Sequence, residues 1–172
     1  MGDWTARRIL KELSDEELRH RILSTFFRKG EDHAREIAIS VLSRSLRFRE
    51  GTLRKAPADR KAELLASRLS APDLEESLEM ALMTYHTSEA RVMLGEFLDY
   101  WKIPHEDGSI EVEDYEPPTA ESVDEAVAAL RDRFPPREIA VYLATAGLLM
   151  GGTIPQWREA TWPAVSRLAS DL

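Results

Sequence analysis

The stretch "PDLEESLEMALMTYHTSEARVMLGEFLDYWKIP", residues 72–104, decides the fold class. Its apolar residues recur at the three- and four-residue spacing of a helix, in two stripes that are separated at Thr87 or Ser88. The first stripe holds Leu74, Leu78, Ala81, Leu82 and Tyr85, and the second holds Met93, Leu94, Phe97, Leu98 and Trp101. Pro104 ends the second stripe, because the residue before a proline is biased away from helical geometry. The stretch therefore predicts two helices, each with one face in a core.

Helix signals of the same kind continue on both sides of this stretch. Ser14 with Glu17, and Ser122 with Glu125, have the spacing of capping boxes, in which two side chains satisfy backbone N–H groups at a helix start. Most other segments also repeat with a period near 3.6 residues. We therefore predict an all-α fold, a compact bundle or irregular array of about eight to nine helices, with at most one short β segment near residues 109–112.

The segment "REIAVYLATAGLLM", residues 137–150, is apolar nearly all round. A helix without a polar face is buried on every side, so this segment is expected at the centre of the core, together with Trp101. Ala140, Ala144 and Gly147 carry little or no side chain, which would let a neighbouring helix approach closely. We therefore predict a tightly packed helix pair at this place.

The chain length of 172 residues is that of one domain, or at most of two small ones, and it is enough to bury a sizeable core. We predict a single helical domain, 1–172. Within it, an acidic connector at 102–118 separates a larger N-terminal helical part, 1–101, from a smaller C-terminal helical part, 119–172.

The connector, "KIPHEDGSIEVEDYEPP", contains six carboxylates and no basic residue after Lys102. Asp107 and Gly108 predict a turn. Ile110 and Val112 alternate with glutamates, so we expect both to lie against the helical body while the acids face outward. The acids make a basic segment of the same chain, or of a second copy, the natural docking surface for this connector.

Composition and charge limit the classes of protein. The formal net charge is −8, with 43% hydrophobic and 31% charged residues, as in a globular protein and not a disordered one. Residues 1–70 carry 16 Lys+Arg against 11 Asp+Glu, while residues 71–172 carry 7 against 20. The chain has no cysteine, which excludes disulfides, thiol nucleophiles and cysteine-ligated metals. With no signal-peptide pattern and no apolar stretch long enough for a bilayer, a cytoplasmic protein with no membrane association is expected.

No catalytic or cofactor motif occurs in the sequence, so catalytic residues stay unknown and no cofactor is predicted. An enzyme is therefore the less favoured class. His105, which precedes Glu106 and Asp107, is a candidate general base because acidic neighbours raise the pKa of an imidazole. The simpler interpretation places it in an exposed loop.

A ridge of carboxylates and histidine runs along the predicted 72–102 helix. Glu79 and His86 lie on one face of that helix, and His33 is the obvious donor from another. Carboxylates and imidazoles that face each other in a helical bundle can hold iron, manganese or zinc. Two pairs in this sequence, His33/Glu36 and His86/Glu89, have the order His-x-x-Glu, which is the reverse of the di-iron pattern. A solvated polar face is the simpler interpretation of the ridge.

The basic segment "RSLRFREGTLRKAPADRK", residues 44–61, supplies the candidate binding residues: Arg44, Arg47, Phe48, Arg54 and Lys55. If a helix continued through Gly51, an aromatic ring would stand among arginines on the outer face and could stack on a base or grip a phosphate. If the helix breaks near Gly51, Phe48 can turn inward to the core.

Three functions remain open. The first is a helical protein-interaction or scaffold module, which binds a protein partner or another copy of itself through opposed charges. The second is a metal-dependent or acid–base enzyme that uses the glutamate and histidine ridge. The third is a nucleic-acid or anion binder that uses the basic segment, which the acidity of the whole chain disfavours.

Overall fold

A computed structural model describes residues 3–172 as a succession of helices. In order these are α1 (Ala6–Arg8), a π-helical turn (Ile9–Leu13), α2 (Glu16–Lys29), α3 (Asp32–Leu46), α4 (Glu50–Lys55), α5 (Ala58–Ala66), α6 (Glu75–Thr87), α7 (Arg91–Tyr100), α8 (Ala120–Leu130), α9 (Pro136–Leu149), a 3-10 turn (Met150–Gly152) and α10 (Gln156–Ser170).

The all-α prediction is confirmed, and residues 3–172 contain no strand. The only β feature in this range is an isolated bridge between Glu106 and Ser109. The ten α-helices in the described chain slightly exceed the eight to nine predicted, and they include the very short α1 and α4. No helix within residues 3–172 is long and apolar enough to cross a membrane.

The backbone contacts divide the chain into two compact units. One is continuous, Asp15–Tyr85, and we call it the insert unit. The other, the terminal unit, combines the stretch that ends at Ser14 with His86–Leu172. The predicted single domain 1–172, with parts 1–101 and 119–172, stays a prediction.

The insert unit is built around α2, whose apolar side chains Leu18, Ile22 and Phe26 are buried. Its main packing partner is α5, while α3 packs against α4 and α5. The predicted start of α2 is wrong by one residue: the Asp15 carboxylate, and not Ser14, accepts the cap hydrogen bond, from the Leu18 amide at 2.8 Å. The Ser14 hydroxyl is already used, because it donates to the Leu10 carbonyl at 2.7 Å.

The centre of the terminal unit is α9, which packs against α10 and the π-helical turn. Ile139 to Gly147 are all buried, as the apolar segment predicted, while Trp101 is only half-buried. A Cβ atom at Gly147 would lie 2.5 Å from the Thr161 hydroxyl on α10. The lack of a side chain at this position therefore allows the close approach of α10.

The second capping prediction in the terminal unit is also shifted. Thr119, and not Ser122, is the N-cap of α8; its hydroxyl accepts from the Ser122 amide at 3.2 Å. The Ser122 hydroxyl returns the contact by accepting from the Thr119 amide at 2.9 Å. Ser122 therefore occupies the third helical position of a capping box, where Glu or Gln is usual.

The C-terminal end of α7 closes in a Schellman motif. Lys102 adopts the left-handed conformation, with φ 56°, and the Ile103 amide donates to the Leu98 carbonyl at 2.9 Å. This motif normally brings together the apolar side chains at the two ends of that hydrogen bond. Ile103 and Leu98 are indeed both buried, which fixes the start of the connector.

The predicted turn in the connector is present. Asp107 and Gly108 have φ values of 49° and 86°, the positive pair that a type I′ hairpin turn requires and that Asp-Gly favours. Glu106 and Ser109 exchange backbone hydrogen bonds of 2.9 and 2.8 Å across it.

The apolar anchors of the connector differ from those predicted. Ile110 is half-buried, but Val112 is 38% exposed. Among residues 3–172 no strand pairs with these two residues, so the two-residue alternation of a sheet does not apply to them. Tyr115 is an anchor instead: its hydroxyl accepts a hydrogen bond from the Trp157 indole N–H at 3.2 Å.

Candidate interaction surface

The candidate surface begins where α3 ends in a second Schellman motif. Arg47 takes the left-handed conformation, with φ 56°, and the Phe48 amide donates to the Ser43 carbonyl at 3.2 Å. The Ser43 hydroxyl also donates to the Phe48 carbonyl. Both backbone polar groups of Phe48 are thereby held, which fixes the chain at this residue.

The side chains of this turn face solvent. Phe48 is 46% exposed, and Arg44, Arg47 and Arg49 are exposed without a salt bridge to any residue in the range 3–172. We call these four residues the basic loop. It answers the question left open by the sequence: the helix breaks before Gly51, yet Phe48 does not turn inward.

Arg54 and Lys55 follow the basic loop on α4 and differ from it. Arg54 donates to Glu36 on α3 at 2.7 Å and to Glu50 at 3.0 Å. The Glu36 carboxylate is the main cause that raises the pKa of Arg54, and the same hydrogen bond lowers the pKa of Glu36. Arg54 is therefore neutralised within the insert unit. Lys55 is exposed and, among the described residues, forms no salt bridge.

The three alternative metal ligands are in different surroundings. His33 is exposed, Glu79 is half-buried, and His86 is buried. Burial raises the pKa of Glu79, with nearby Glu75 adding to the effect, and lowers the pKa of His86 to about 3. Within residues 3–172, no group of three histidine, aspartate or glutamate side chains is placed to hold a metal ion.

His105 is part of the connector turn. Its Nδ1 accepts the Gly108 amide at 3.0 Å, and its Nε2 lies 3.1 Å from the Asp99 carboxylate on α7. Because Nδ1 accepts a backbone hydrogen bond, the imidazole donates from Nε2. Both ring nitrogens thus hold the turn onto α7, and neither faces a nucleophile.

Sequence reasoning missed a polar cluster between α2 and α5. The Ser24 hydroxyl donates to the Asp59 carboxylate at 2.6 Å, which is the main cause that lowers the pKa of Asp59. His20 Nε2 lies 3.5 Å from the same carboxylate, and Arg28 lies 3.3 Å from it. A catalytic serine needs the imidazole as its own hydrogen-bond partner. Here serine and histidine both meet the carboxylate, so the cluster joins two helices.

Sequence reasoning also missed a small cleft in the insert unit. Some of the residues that line it follow the basic loop in the sequence. Its cations include Arg35 on α3 and Lys61 on α5. They are separated in sequence, and only the packing of helices brings them together. The one local signal was the position of Lys61 directly before the buried Ala62, at the edge of the apolar face of α5.

Comparison of this chain with protein-family models, with curated proteins and with solved structures found no match. The geometry of the described residues therefore carries the functional argument.

Proposed function

We propose that this chain is a helical interaction module that docks an acidic segment of a partner protein onto the basic loop. The observation that carries the proposal is Phe48, an aromatic side chain 46% exposed among three arginines that have no acidic partner within residues 3–172. Aromatic and arginine side chains dominate the binding energy of protein interfaces. An exposed aromatic of this kind has no part in the core, so its burial remains available to a partner.

The backbone of the basic loop favours binding. Loops that order on contact lose conformational entropy, which weakens the complex. The Schellman motif of Arg47 and the two hydrogen bonds of Phe48 hold this loop before any partner arrives. The entropy lost on docking is therefore limited mainly to the arginine side chains.

The charges indicate the chemistry of the partner. Arg44, Arg47 and Arg49 attract an acidic surface and speed its approach. A nucleic acid is disfavoured, because the chain as a whole carries a net charge of −8 and would repel a polyphosphate. The acidic stretch 106–116 makes a second copy of the chain the alternative occupant. We propose the cytoplasm as the compartment, since a chain without cysteine needs no oxidising one.

Photo-crosslinking in cells tests the proposal. Photoreactive benzoylphenylalanine replaces Phe48 in one variant and Val92, which is 68% exposed, in a matched control. We expect a discrete protein adduct from position 48 and none of the same mass from position 92. Adding Arg44→Gln and Arg49→Gln should reduce the adduct several-fold, since the arginines attract the partner.

Other outcomes would replace the proposal. Equal adducts from both positions, or a yield unchanged by the two glutamines, would show that the basic loop is not a docking surface. An adduct sensitive to nuclease would make the chain a nucleic-acid binder. An adduct of twice the chain mass would identify a second copy as the occupant.

A further inference from the structure

We propose that the insert unit contains a separate binding site, a cleft that takes a small organic carboxylate. The cleft lies among α2, α3, α4 and α5 and has a volume of about 340 Å³. It is lined by three cations, two carboxylates and two apolar side chains. This site is distinct from the basic loop, none of whose residues lines it.

The lining charges favour a ligand with one negative charge. Two of the cations already have acidic partners in the lining: Arg35 pairs with Asp32, and Arg54 donates to Glu36 at 2.9 and 2.7 Å. Lys61 has no carboxylate within salt-bridge distance among residues 3–172. Within the lining, three cations thus face two carboxylates, and a ligand carboxylate would pair with Lys61. Glu50, outside the lining, also pairs with Arg54 at 3.0 Å, so the second charge of a phosphate dianion would be left unbalanced.

Lys61 is held in the cleft with hydrogen-bonding capacity to spare. Its ammonium lies 5.4 Å from the centre of the Phe27 ring, and it makes one long hydrogen bond, 3.4 Å, to the Arg54 carbonyl. An ammonium has three donors, so others stay available. Half-burial, and then the charge of Arg35, lower the pKa of Lys61, and the Glu36 carboxylate offsets part of this lowering. A carboxylate bound beside it would offset both effects.

Arg35 adds to the positive electrostatic potential in the cleft. Its guanidinium donates to the Phe27 carbonyl at 3.1 Å, which fixes it at the wall of the cleft. Its Nε atom is buried and has no hydrogen-bond partner in the described part of the chain. A buried donor without an acceptor is costly, and a nearby anion lowers that cost electrostatically.

The apolar part of the lining limits the size and shape of the ligand. Phe27 and Ile39 form this part, and since both are buried they present only a small apolar surface to a ligand. The volume is at the lower end of the range for small-molecule sites, roughly 300–1,000 Å³. The cleft therefore fits a carboxylate on a small ring or short chain, and a large cofactor is excluded by size.

Fluorine NMR with 4-fluorobenzoate as the probe tests the site. We expect the probe signal to shift and broaden on addition of the protein. Lys61→Met keeps an unbranched side chain beside Phe27 and removes the charge; it should weaken probe binding about tenfold, the effect of one lost charge-assisted hydrogen bond. Lys55→Met, on the exposed surface of α4, is the matched control and should bind the probe as the wild type does.

Acetylation of the wild-type protein tests the same site, and its result does not depend on whether a variant folds. The chain has five lysines, and mass spectrometry gives the acetylation rate of each. We expect benzoate to protect Lys61 several-fold and to leave Lys55 unchanged, whereas inorganic phosphate at equal ionic strength should protect neither.

Three results would overturn the inference. The first is equal probe binding by Lys61→Met and the wild type, and the second is no selective protection of Lys61. The third is protection by phosphate and not by benzoate, which would assign the cleft to another class of anion. Phe48→Ala should leave probe binding unchanged, so failure of this site and failure of the proposed docking surface are distinguishable.

Discussion

The C-terminal ends of α3 and α7 have the same backbone conformation, but the apolar side chain that follows is exposed after α3 and buried after α7. Each helix ends in a Schellman motif with a basic residue at φ 56°, Arg47 in one and Lys102 in the other. A large apolar residue follows in both cases. Ile103 is 2% exposed, whereas Phe48 is 46% exposed. The motif fixes the direction of the chain, and it does not by itself bury the next residue.

The difference has a cause that is visible in the sequence. In a Schellman motif the residue after the left-handed position commonly packs against the residue whose carbonyl it bonds, or against the residue before that one. At the end of α7 the first of these is Leu98, which is apolar and buried. At the end of α3 it is Ser43, whose hydroxyl binds the Phe48 carbonyl. Phe48 therefore lacks an apolar residue at the first of the two positions that the motif offers, and Leu42 at the second is already fully buried.

The largest expected difference between the two helix ends is in core stability. Ile103→Ala should lower the free energy of unfolding by about 2–5 kcal/mol, as for other buried aliphatic truncations. Phe48→Ala should change it by no more than about 0.5 kcal/mol, as expected of a surface residue. Urea unfolding of both variants measures the difference. A comparable loss from Phe48→Ala would place its ring in the core and end the docking proposal.

Acid should destabilise the terminal unit through His86, whose pKa falls from 6.5 to about 3 because of burial. The folded protein therefore binds the proton less readily than the unfolded chain. The contribution of the neutral His86 side chain to the free energy of unfolding is fully present above pH 6.5 and is lost as the pH falls from 6.5 toward 3. At pH 5 the loss should be about 2 kcal/mol, at 1.36 kcal/mol for each pH unit.

His86→Phe is the matched variant for this acid effect, since it retains an aromatic ring 5.5 Å from that of Tyr142. Its urea-unfolding stability should change less between pH 6.5 and pH 5 than that of the wild type. An identical pH dependence would trace the acid sensitivity to carboxylates instead, including those of the connector that follows Ile103.

The glycines near the two helix ends should also respond in opposite directions. Gly108 has φ 86°, and a Cβ atom there would lie 2.7 Å from the Leu94 side chain. Gly108→Ala should therefore cost roughly 1–3 kcal/mol. Gly51 lies in α4 with no atom within 4 Å of an added Cβ, so Gly51→Ala should stabilise by up to about 1 kcal/mol. Thermal melting of the two variants, measured side by side, shows whether replacing a glycine is costly only in the connector turn.

The smallest expected effect tests whether the left-handed residues Arg47 and Lys102 carry the same backbone strain. Glycine relieves the strain of a left-handed residue, at some cost in the entropy of the unfolded chain. Arg47→Gly and Lys102→Gly should each raise stability by about 0.5 kcal/mol, and by the same amount. Urea unfolding with replicate measurements is the test. A gain at one site only would mean that the two motifs differ in more than their side chains.

The fold class could be predicted because helical periodicity is a local property of the sequence. Leu74, Leu78 and Tyr85 recur at helical spacing and are all buried. The helix starts were less predictable, because several hydroxyl and carboxylate residues compete to cap one end. Ser14 loses that competition because a neighbouring turn uses its hydroxyl, which no spacing rule includes.

The candidate sites show the same limit. The sequence groups Arg54 with the arginines of the basic loop, and it does not show the salt bridge to Glu36, because Glu36 is remote in sequence. The cleft could not be predicted at all. Lys61 and Arg35 lie on different helices, and their nearness follows from how α2, α3 and α5 pack, which sequence periodicity does not specify.

The order of the two units along the chain has a consequence for vectorial synthesis on the ribosome. All of the insert unit, Asp15–Tyr85, leaves the exit tunnel before most of the terminal unit is translated. Its contacts can therefore form while the chain is still growing. The segment that ends at Ser14 must wait for α9 and its neighbours, with Leu13 and its other apolar residues exposed. This apolar segment thus remains exposed on the nascent chain until α9 has left the ribosome.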